Sequence, residues 1–333
     1  MTNLSLHCKL KYNFVLKVGV IGAGYLGKKH LKIVENSSFF DLIGFYDENE
    51  NTKENLSKNS NYVSFDQIDS LIDATDIIII VTPTLSHFDL AKKVIKAKKH
   101  VFIEKPICST VEQAYQLIDL EDKNKVFGQV GHVERFNPAF EAIKSSIGSP
   151  QFIEAQRFAE FNPRGTDVSV VLDLMIHDID IVLSVVKSEI EKVDASGFSV
   201  ISETPDICNA RIIFKNGCVA NLTANRVSLK KIRKTRFFLK NRYVAIDYLT
   251  QNVEIVKVKD IPKVKDDLSI LVTNAEGKRK KIVIENPIIT KHNSIQKELE
   301  DFYHCILENQ KPKVSLLDGA RALEVAKKIM ECI

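Results

Sequence analysis

The stretch Leu16-Lys17-Val18-Gly19-Val20-Ile21-Gly22-Ala23-Gly24-Tyr25-Leu26-Gly27-Lys28-Lys29-His30 decides the fold of this chain. Its first part, rich in Leu, Val and Ile, reads as a buried strand, and the part after Gly24 mixes lysines with apolar residues at helical spacing. Gly22, Gly24 and Gly27 fall where strand gives way to helix. Gly22 permits a tight turn, Gly24 lets the backbone approach a pyrophosphate, and Gly27 allows close packing of helix on strand. Ala23, Tyr25 and Leu26 complete the loop, whose amides and helix dipole suit an anion. The next apolar run, Asp41 to Tyr46, ends in Asp47. A carboxylate there accepts hydrogen bonds from ribose hydroxyls and repels a 2′-phosphate, which favours NAD over NADP. Glu48 and Glu50 add to the repulsion, and no Arg stands beside Asp47.

Outward from this loop, short β-branched runs alternate with amphipathic stretches from Leu16 to about Ile147, the pattern of βαβ units. Strands are expected at Leu16 to Ile21, Asp41 to Tyr46, Ile77 to Val81, Val101 to Ile103 and Val126 to Val130. The continuously apolar Ile77 run belongs in the middle of a parallel sheet, covered on both faces. Lysines such as Lys92, Lys93, Lys96, Lys98 and Lys99 fit a solvated helix face. Thr82, Pro83 and His87 close the Ile77 strand at the level of a cofactor's ribose, although a histidine at a helix start more often satisfies local partners than performs catalysis. Glu104-Lys105-Pro106 ends the Val101 run. Ligands of open parallel sheets bind beyond the carboxyl ends of the strands, so Lys105 faces cofactor or substrate, with Glu104 placed to position it.

After Pro150 the rhythm changes to longer strands, Phe152 to Ala159, Val193 to Val200, Ala210 to Phe214, Val219 to Ala224, Arg236 to Leu239 and Tyr243 to Ile246, with an Asn216-Gly217 hairpin signal. The fold class is therefore α/β: a doubly wound parallel sheet over residues 1–130, then an α+β domain over 131–333 with an open-faced, mostly antiparallel sheet. Helices at Ser294 to Glu308 and Asp318 to Cys332 are free to pack back toward the first domain. Lys257 to Lys281 reads as a charged surface excursion, and the basic run Lys230 to Arg236 as a solvated strand edge or loop. The helix Val168 to Val186 is apolar on nearly every side and should be buried. Along it Asp173, His177, Asp180 and Ser184 are spaced as a polar stripe, and an Asp173–His177 pair suits general acid/base chemistry. A satisfied core histidine and a metal pair are competing readings of His177, the second without any further ligand cluster. Arg135 and Arg164, in Pro-containing loops near the domain junction, suit phosphate or carboxylate contact, although an Arg so placed more often makes a surface or interdomain ion pair.

Size and charge bound the function classes. At 333 residues two domains are expected. A net charge of +4 is too small to imply nucleic acid as a partner. The six cysteines are scattered without metal or disulfide spacing, so no metal is expected. No apolar run is long enough for a membrane span or a signal core, which fits a cytoplasmic enzyme.

Together the Gly22–Gly27 loop, Asp47, Thr82-Pro83, Glu104-Lys105-Pro106 and the Asp173–His177 spacing resemble the Gfo/Idh/MocA family of sugar and cyclitol oxidoreductases, over nearly the whole chain. The resemblance implies a Rossmann domain joined to a substrate domain whose open sheet face commonly builds homodimers or homotetramers. It implies that Lys105 contacts the substrate hydroxyl and nicotinamide ribose, and that His177 is the acid/base with Asp173 beside it. Gly131 to Phe140 and Asn162 to Ile181 are more similar to the nucleotide-sugar branch, which includes UDP-N-acetylglucosamine 3-dehydrogenases. Such a substrate would give Arg135, Asn137, Arg164 and the 230s lysines a binding role. Gly165-Thr166-Asp167 departs from the family's commoner run of glycines. The expected activity is oxidation of a sugar ring hydroxyl, with His177 or Lys105 taking the proton; a cyclitol or aldose dehydrogenase, a non-catalytic NAD-binding regulator and reduction of a non-sugar acceptor remain alternatives.

Overall fold

A computed structural model describes residues 14–60, 62–163, 168–260, 270–273, 277 and 279–333. Short apolar runs form five parallel strands, β1 (Leu16–Ile21), β2 (Phe40–Tyr46), β3 (Ile77–Ile80), β4 (His100–Glu104) and β5 (Gly128–Gly131), in the order β2-β1-β3-β4-β5. Helices α1 (Tyr25–Glu35), α2 (Glu50–Ser60), α3 (Ile68–Asp73), α4 (Thr84–Lys96) and α5 (Val111–Asn124) connect them. The strand order reverses at β1, so the crevice at the carboxyl ends of β1 and β3 is where such a sheet takes a ligand. No side chain of β3 is more than 2% exposed; each buried isoleucine contributes roughly 1.5–3 kcal/mol relative to exposure.

The chain divides into two compact units, one of residues up to Gly131 together with Ile295–Ala320, the other of His132–Ser294 with Arg321–Ile333. The first unit is thus discontinuous, taking in the helix at Ser294 that the sequence left free to pack back toward it. The helix Ser294–Leu307 supplies Leu299, Phe302 and Tyr303 to the core around β1 and α1. Tyr303 crosses the Phe40 ring edge-on at 5.7 Å, and Gln129 donates to the Glu298 carbonyl at 2.9 Å.

In the second unit β6 (Phe152–Phe158), β7 (Ile190–Phe198), β8 (Ile207–Phe214), β9 (Val219–Asn225), β10 (Ile232–Leu239), β11 (Arg242–Asp247), β12 (Asn252–Asp260), β13 (Ile270–Thr273) and β14 (Arg279–Glu285) form a nine-stranded sheet. Its order is β13-β14-β12-β11-β10-β6-β9-β8-β7, and only the β6–β9 pair is parallel. Alternation sends Ile153, Ala155, Ala220, Leu222 and Phe237 into a core shared with helices α6 (Pro138–Ile147) and α7 (Ile176–Val185). The other face carries a Phe152–Phe238–Tyr243 cluster, with centroids 5.6 and 5.1 Å apart.

Two expectations are corrected. The Lys257–Lys281 excursion belongs in part to the sheet: β12 runs to Asp260, and β13 and β14 extend it. The alternation Val256-Lys257-Val258-Lys259 is the strand period, with one face charged. The basic run is no edge, because β10 lies between β6 and β11. Its charges are met by carboxylates, Lys231 by Glu160 at 3.3 Å, Lys234 by Asp247 at 3.3 Å and Arg236 by Glu154 at 3.0 Å.

His100 opens β4, and its Nδ1 accepts the Phe127 N–H at 3.0 Å. Burial holds its pKa below the ordinary 6.5. The neutral ring is therefore the stabilising form: its contribution is complete above about pH 6.5 and is lost as pH falls through the depressed value. Urea unfolding from pH 7.5 down to about 5.5 should show a steeper loss for the native chain than for His100→Asn, whose amide oxygen accepts without titrating. Equal slopes would contradict this.

Candidate active site

Strand β1 delivers Gly22 at φ +92°, where an added Cβ would lie 2.6 Å from the Val81 carbonyl oxygen. At Gly27 a Cβ would come within 2.0 Å of the Gly22 oxygen, so only glycine lets α1 sit this close to the turn. Gly24 differs, since a Cβ there meets nothing within 4 Å. That open space adjoins a cleft of about 360 Å³ lined by Gly22, Gly24, Asp47, Thr82, Pro83 and Ser86. The Asp47 carboxylate is fixed by two backbone donors, Ala23 N–H at 2.7 Å and Asn49 N–H at 2.9 Å. Tyr25 and Leu26 begin α1, and Tyr25 is largely exposed with Lys29 Nζ 4.4 Å from its ring centroid. A dinucleotide fits this arrangement: helix-end amides, a turn without side chains at Gly22 and Gly24, and an acid at the end of β2.

His87, placed at the level of the cofactor's ribose by the sequence, is buried behind the cleft and satisfies local partners, as a histidine at a helix start more often does. It is 1% exposed, with Nδ1 2.9 Å from the Pro106 carbonyl oxygen and Nε2 2.8 Å from that of Thr82. Burial lowers its pKa, against the pull of the two carbonyls. The Thr82 hydroxyl meets Ser86 Oγ at 2.8 Å. At the end of β4, Glu104 Oε1 lies 2.8 Å from Nε2 of the fully buried His30, and Oε2 accepts the Lys105 N–H at 3.3 Å. Lys105 is half-buried, and its peptide bond to Pro106 is cis.

In the second unit the expected stripe breaks up. Val171–Met175 is a π-helical turn, and regular α-helix begins only at Ile176. The wider turn offsets Asp173 from the residues that follow, and such turns recur at functional sites. His177 opens α7 half-buried, its ring perpendicular to His132 at 6.3 Å between centroids. Asp180 leaves the stripe for a bidentate pair with Arg135 at 2.7 and 3.0 Å, and the Ser184 hydroxyl donates back to the Ile181 carbonyl at 2.7 Å.

Arg135 and Asn137, expected at the substrate, are both engaged within the second unit, Arg135 in an ion pair, its alternative reading. Arg135 is 6% exposed and held by Asp180. Asn137 caps α6 through the Ala139 N–H and donates to Glu134 and to the Tyr248 carbonyl. Arg164 lies outside the described residues. Beside Asp180, Asp178 takes Arg157 in a second bidentate pair at 2.9 Å, and Glu134 takes the remaining Arg157 nitrogen at 2.9 Å. Asp178 and Glu134 hold the Arg157 guanidinium above its ordinary pKa, despite full burial. His30, His132, Asp178 and Arg157 escaped the sequence reading. His132 had a signal, being in the Gly131–Pro138 run; His30 had none, since its partner is in another strand.

Residues 16–132 match the oxidoreductase family with an NAD-binding Rossmann fold, and residues 141–241 match the GFO/IDH/MocA C-terminal domain. The chain is 31% identical over 320 residues to UDP-N-acetylglucosamine 3-dehydrogenase of Acidithiobacillus ferrooxidans, covering 94% of this chain and 96% of that protein. This chain belongs to the Gfo/Idh/MocA oxidoreductase family. The oxidoreductase is also 25% identical over 345 residues to myo-inositol 2-dehydrogenase of Thermotoga maritima, covering 95% and 96%. Among solved structures, that of the Acidithiobacillus ferrooxidans enzyme matches with a TM-score of 0.86 at 29% identity, over 96% of this chain and 98% of that one. Scyllo-inositol dehydrogenase from Lactobacillus casei, solved with NAD(H) and scyllo-inositol, matches at 0.76 and 21% identity over 96% and 97%, a likeness of fold.

The two glycines should separate folding from binding. Gly27→Ala should destabilise the oxidoreductase by about 1–3 kcal/mol or more, because backbone must move. Gly24→Ala should leave stability within about 0.5 kcal/mol and weaken NAD binding roughly tenfold by filling the open space. Calorimetry with and without NAD reads both; unchanged binding in Gly24→Ala would remove this placement of the pyrophosphate.

Proposed function

We propose that this oxidoreductase oxidises a ring hydroxyl of a nucleotide sugar with NAD, UDP-N-acetylglucosamine at its 3-position being the first candidate. The observation that carries the reading is Lys105 at the carboxyl end of β4, in the unit that also holds the glycine turn, the cleft and Asp47. Similarity over 94% of the chain to a UDP-N-acetylglucosamine 3-dehydrogenase supports the substrate. NAD, when bound, supplies the hydride acceptor, and the electronic work is the cofactor's.

The chain's own task is the hydroxyl proton. As the carbinol C–H electrons leave with the hydride, the O–H proton passes to a base, and the carbonyl forms. His177 at Nε2 and Lys105 at Nζ are the proposed acceptors; the His177 Nδ1 is buried. Asp173, a turn earlier in the π-helical segment, is proposed to raise the basicity of His177. Asp47 is proposed to select NAD: its carboxylate is fixed by the Ala23 amide where an adenosine ribose would bind, and a 2′-phosphate would meet that charge. The outer sheet face, with its Phe152–Phe238–Tyr243 cluster, is proposed to pair two or four copies of the chain. Among the described residues no helix is long and apolar enough to cross a membrane. The matches to inositol dehydrogenases favour a second reading, oxidation of a cyclitol.

Cofactor reduction decides between the readings. UDP-N-acetylglucosamine should give a kcat/KM about 100-fold or more above myo-inositol and free N-acetylglucosamine, because binding contacts to the nucleotide are lost with the smaller substrates. A preference for myo-inositol installs the second reading, and NAD binding without turnover on any of them leaves a regulator. In single-turnover hydride transfer, Lys105→Ala and His177→Ala should each lose about 100-fold; near-normal rates in both would remove the proposed chemistry.

Asp47→Ser should raise the NADP-to-NAD ratio of kcat/KM by roughly tenfold, as repulsion of the phosphate is relieved. The ratio is the readout, since loss of the Ala23 contact weakens both cofactors alike.

A further inference from the structure

Each residue flanking Lys105 is engaged by a buried histidine that comes from a different helix. On the amino side, Glu104 reaches Nε2 of His30 in α1 at 2.8 Å. On the carboxyl side, the Pro106 carbonyl meets Nδ1 of His87 in α4 at 2.9 Å. The two imidazoles are 0% and 1% exposed, so neither touches a ligand in the cleft. His30 Nδ1 has no hydrogen-bond partner among the described residues, which leaves Nε2–H as the donor and Glu104 as the acceptor. The other Glu104 oxygen accepts the Lys105 backbone N–H, and a Cβ on Gly131 would stand 2.8 Å from it, so the glycine at 131 leaves the room this carboxylate occupies. The second nitrogen of His87 faces the Thr82 carbonyl at 2.8 Å; with one proton the ring donates to one of the two carbonyls and packs against the other, and with two it donates to both, so in either state it stands between the Lys105 segment and the turn that walls the cleft.

We propose that His30 and His87 are positioning residues for Lys105, holding its backbone from both sides so that the ammonium is presented at one place relative to the glycine turn and the Thr82 turn. His30 ties it to the helix that begins at the glycines; His87 ties it to Thr82. The proposal rests on the reading of Lys105 as a group that handles the substrate hydroxyl. Its physical warrant is that displacement by about 1 Å of a reacting group costs on the order of 100-fold in rate. A lysine has a long flexible stem and needs a fixed backbone to be placed at all.

The test begins without cofactor. Competitive acetylation of amines with acetic anhydride, read residue by residue by mass spectrometry, should show Lys105 labelling changed about threefold or more, relative to Lys92 and Lys96, in His30→Leu and His87→Leu. His30→Gln, which keeps a donor at the Nε2 position, and His87→Asn, which keeps one toward Pro106, should restore the native ratio. Unchanged labelling in both leucine variants overturns the proposal. With NAD and substrate, the leucine variants should lose about 10- to 100-fold in kcat, with KM for NAD within about threefold, and the same substitutions in a Lys105→Ala background should change kcat by less than about twofold. An equal loss in that background overturns it, because the histidines would then act independently of Lys105. If Lys105→Ala alone leaves hydride transfer intact, the assigned chemistry of Lys105 fails, and the labelling ratios still judge the positioning. Should His87→Leu not fold, His87→Gln, keeping only the Thr82 contact, takes its place with the same expected change.

Discussion

The whole first unit hangs on how closely α1 approaches β1. That distance exists because position 27 has no Cβ, where one would sit 2.0 Å from the Gly22 carbonyl oxygen. A helix held at that distance turns the Ala23 amide onto Asp47, and it carries His30, on the same buried face as Gly27, Leu31 and Val34, to Glu104. One missing methyl thereby sets the positions of Asp47, at the end of β2, and of Lys105, two strands further along the chain. A larger residue at 27 would disturb both ends together, since packed elements shift as bodies.

The second unit solves a different problem, that of placing buried charged groups in an apolar helix. Burying a charge is costly unless it is paired and hydrogen-bonded. Here Asp178 and Asp180, on either side of Ile179, each receive a bidentate arginine, and Glu134 and Asn137 complete the set. These pairs fix α7 in rotation, so that His177 opens the helix beside His132 in place of turning into the core. Removing one partner would strand a charge at a cost of about 3–5 kcal/mol, so the network acts as a scaffold for the helix that carries the histidine.

Much of this was legible in the sequence wherever the signal is local. The β1 strand, the glycine spacing, Asp47 at a strand end and the buried isoleucine run depend on neighbours a few residues away, and they appear where the pattern places them. Lys105 was legible because a strand's carboxyl end is a position with a known environment. What depends on distant partners was not. Arg135 looked available for a phosphate until Asp180 stood opposite, and His30 resembled one more polar residue after two lysines until Glu104 came within reach. The π-helical turn has no compositional mark, because it is a slip in hydrogen bonding and not a change of residue type. β10 read as an edge because its lysines are visible in the sequence while the carboxylates that face them lie in other strands.

The discontinuity of the first unit governs when that unit can exist. Leu299, Phe302 and Tyr303 belong to its core, and the Val130 amide waits for the Val314 carbonyl at 3.0 Å. A growing chain has made every strand of the parallel sheet long before it makes these residues, and must produce the whole second sheet in between. Within that sheet β6 waits in turn for β9 and β10, its two neighbours. During synthesis the nucleotide-binding turn is therefore assembled early but its unit is sealed late, only Arg321–Ile333 of the second unit following, so an incomplete chain would carry the glycine turn with part of its apolar core still open to water.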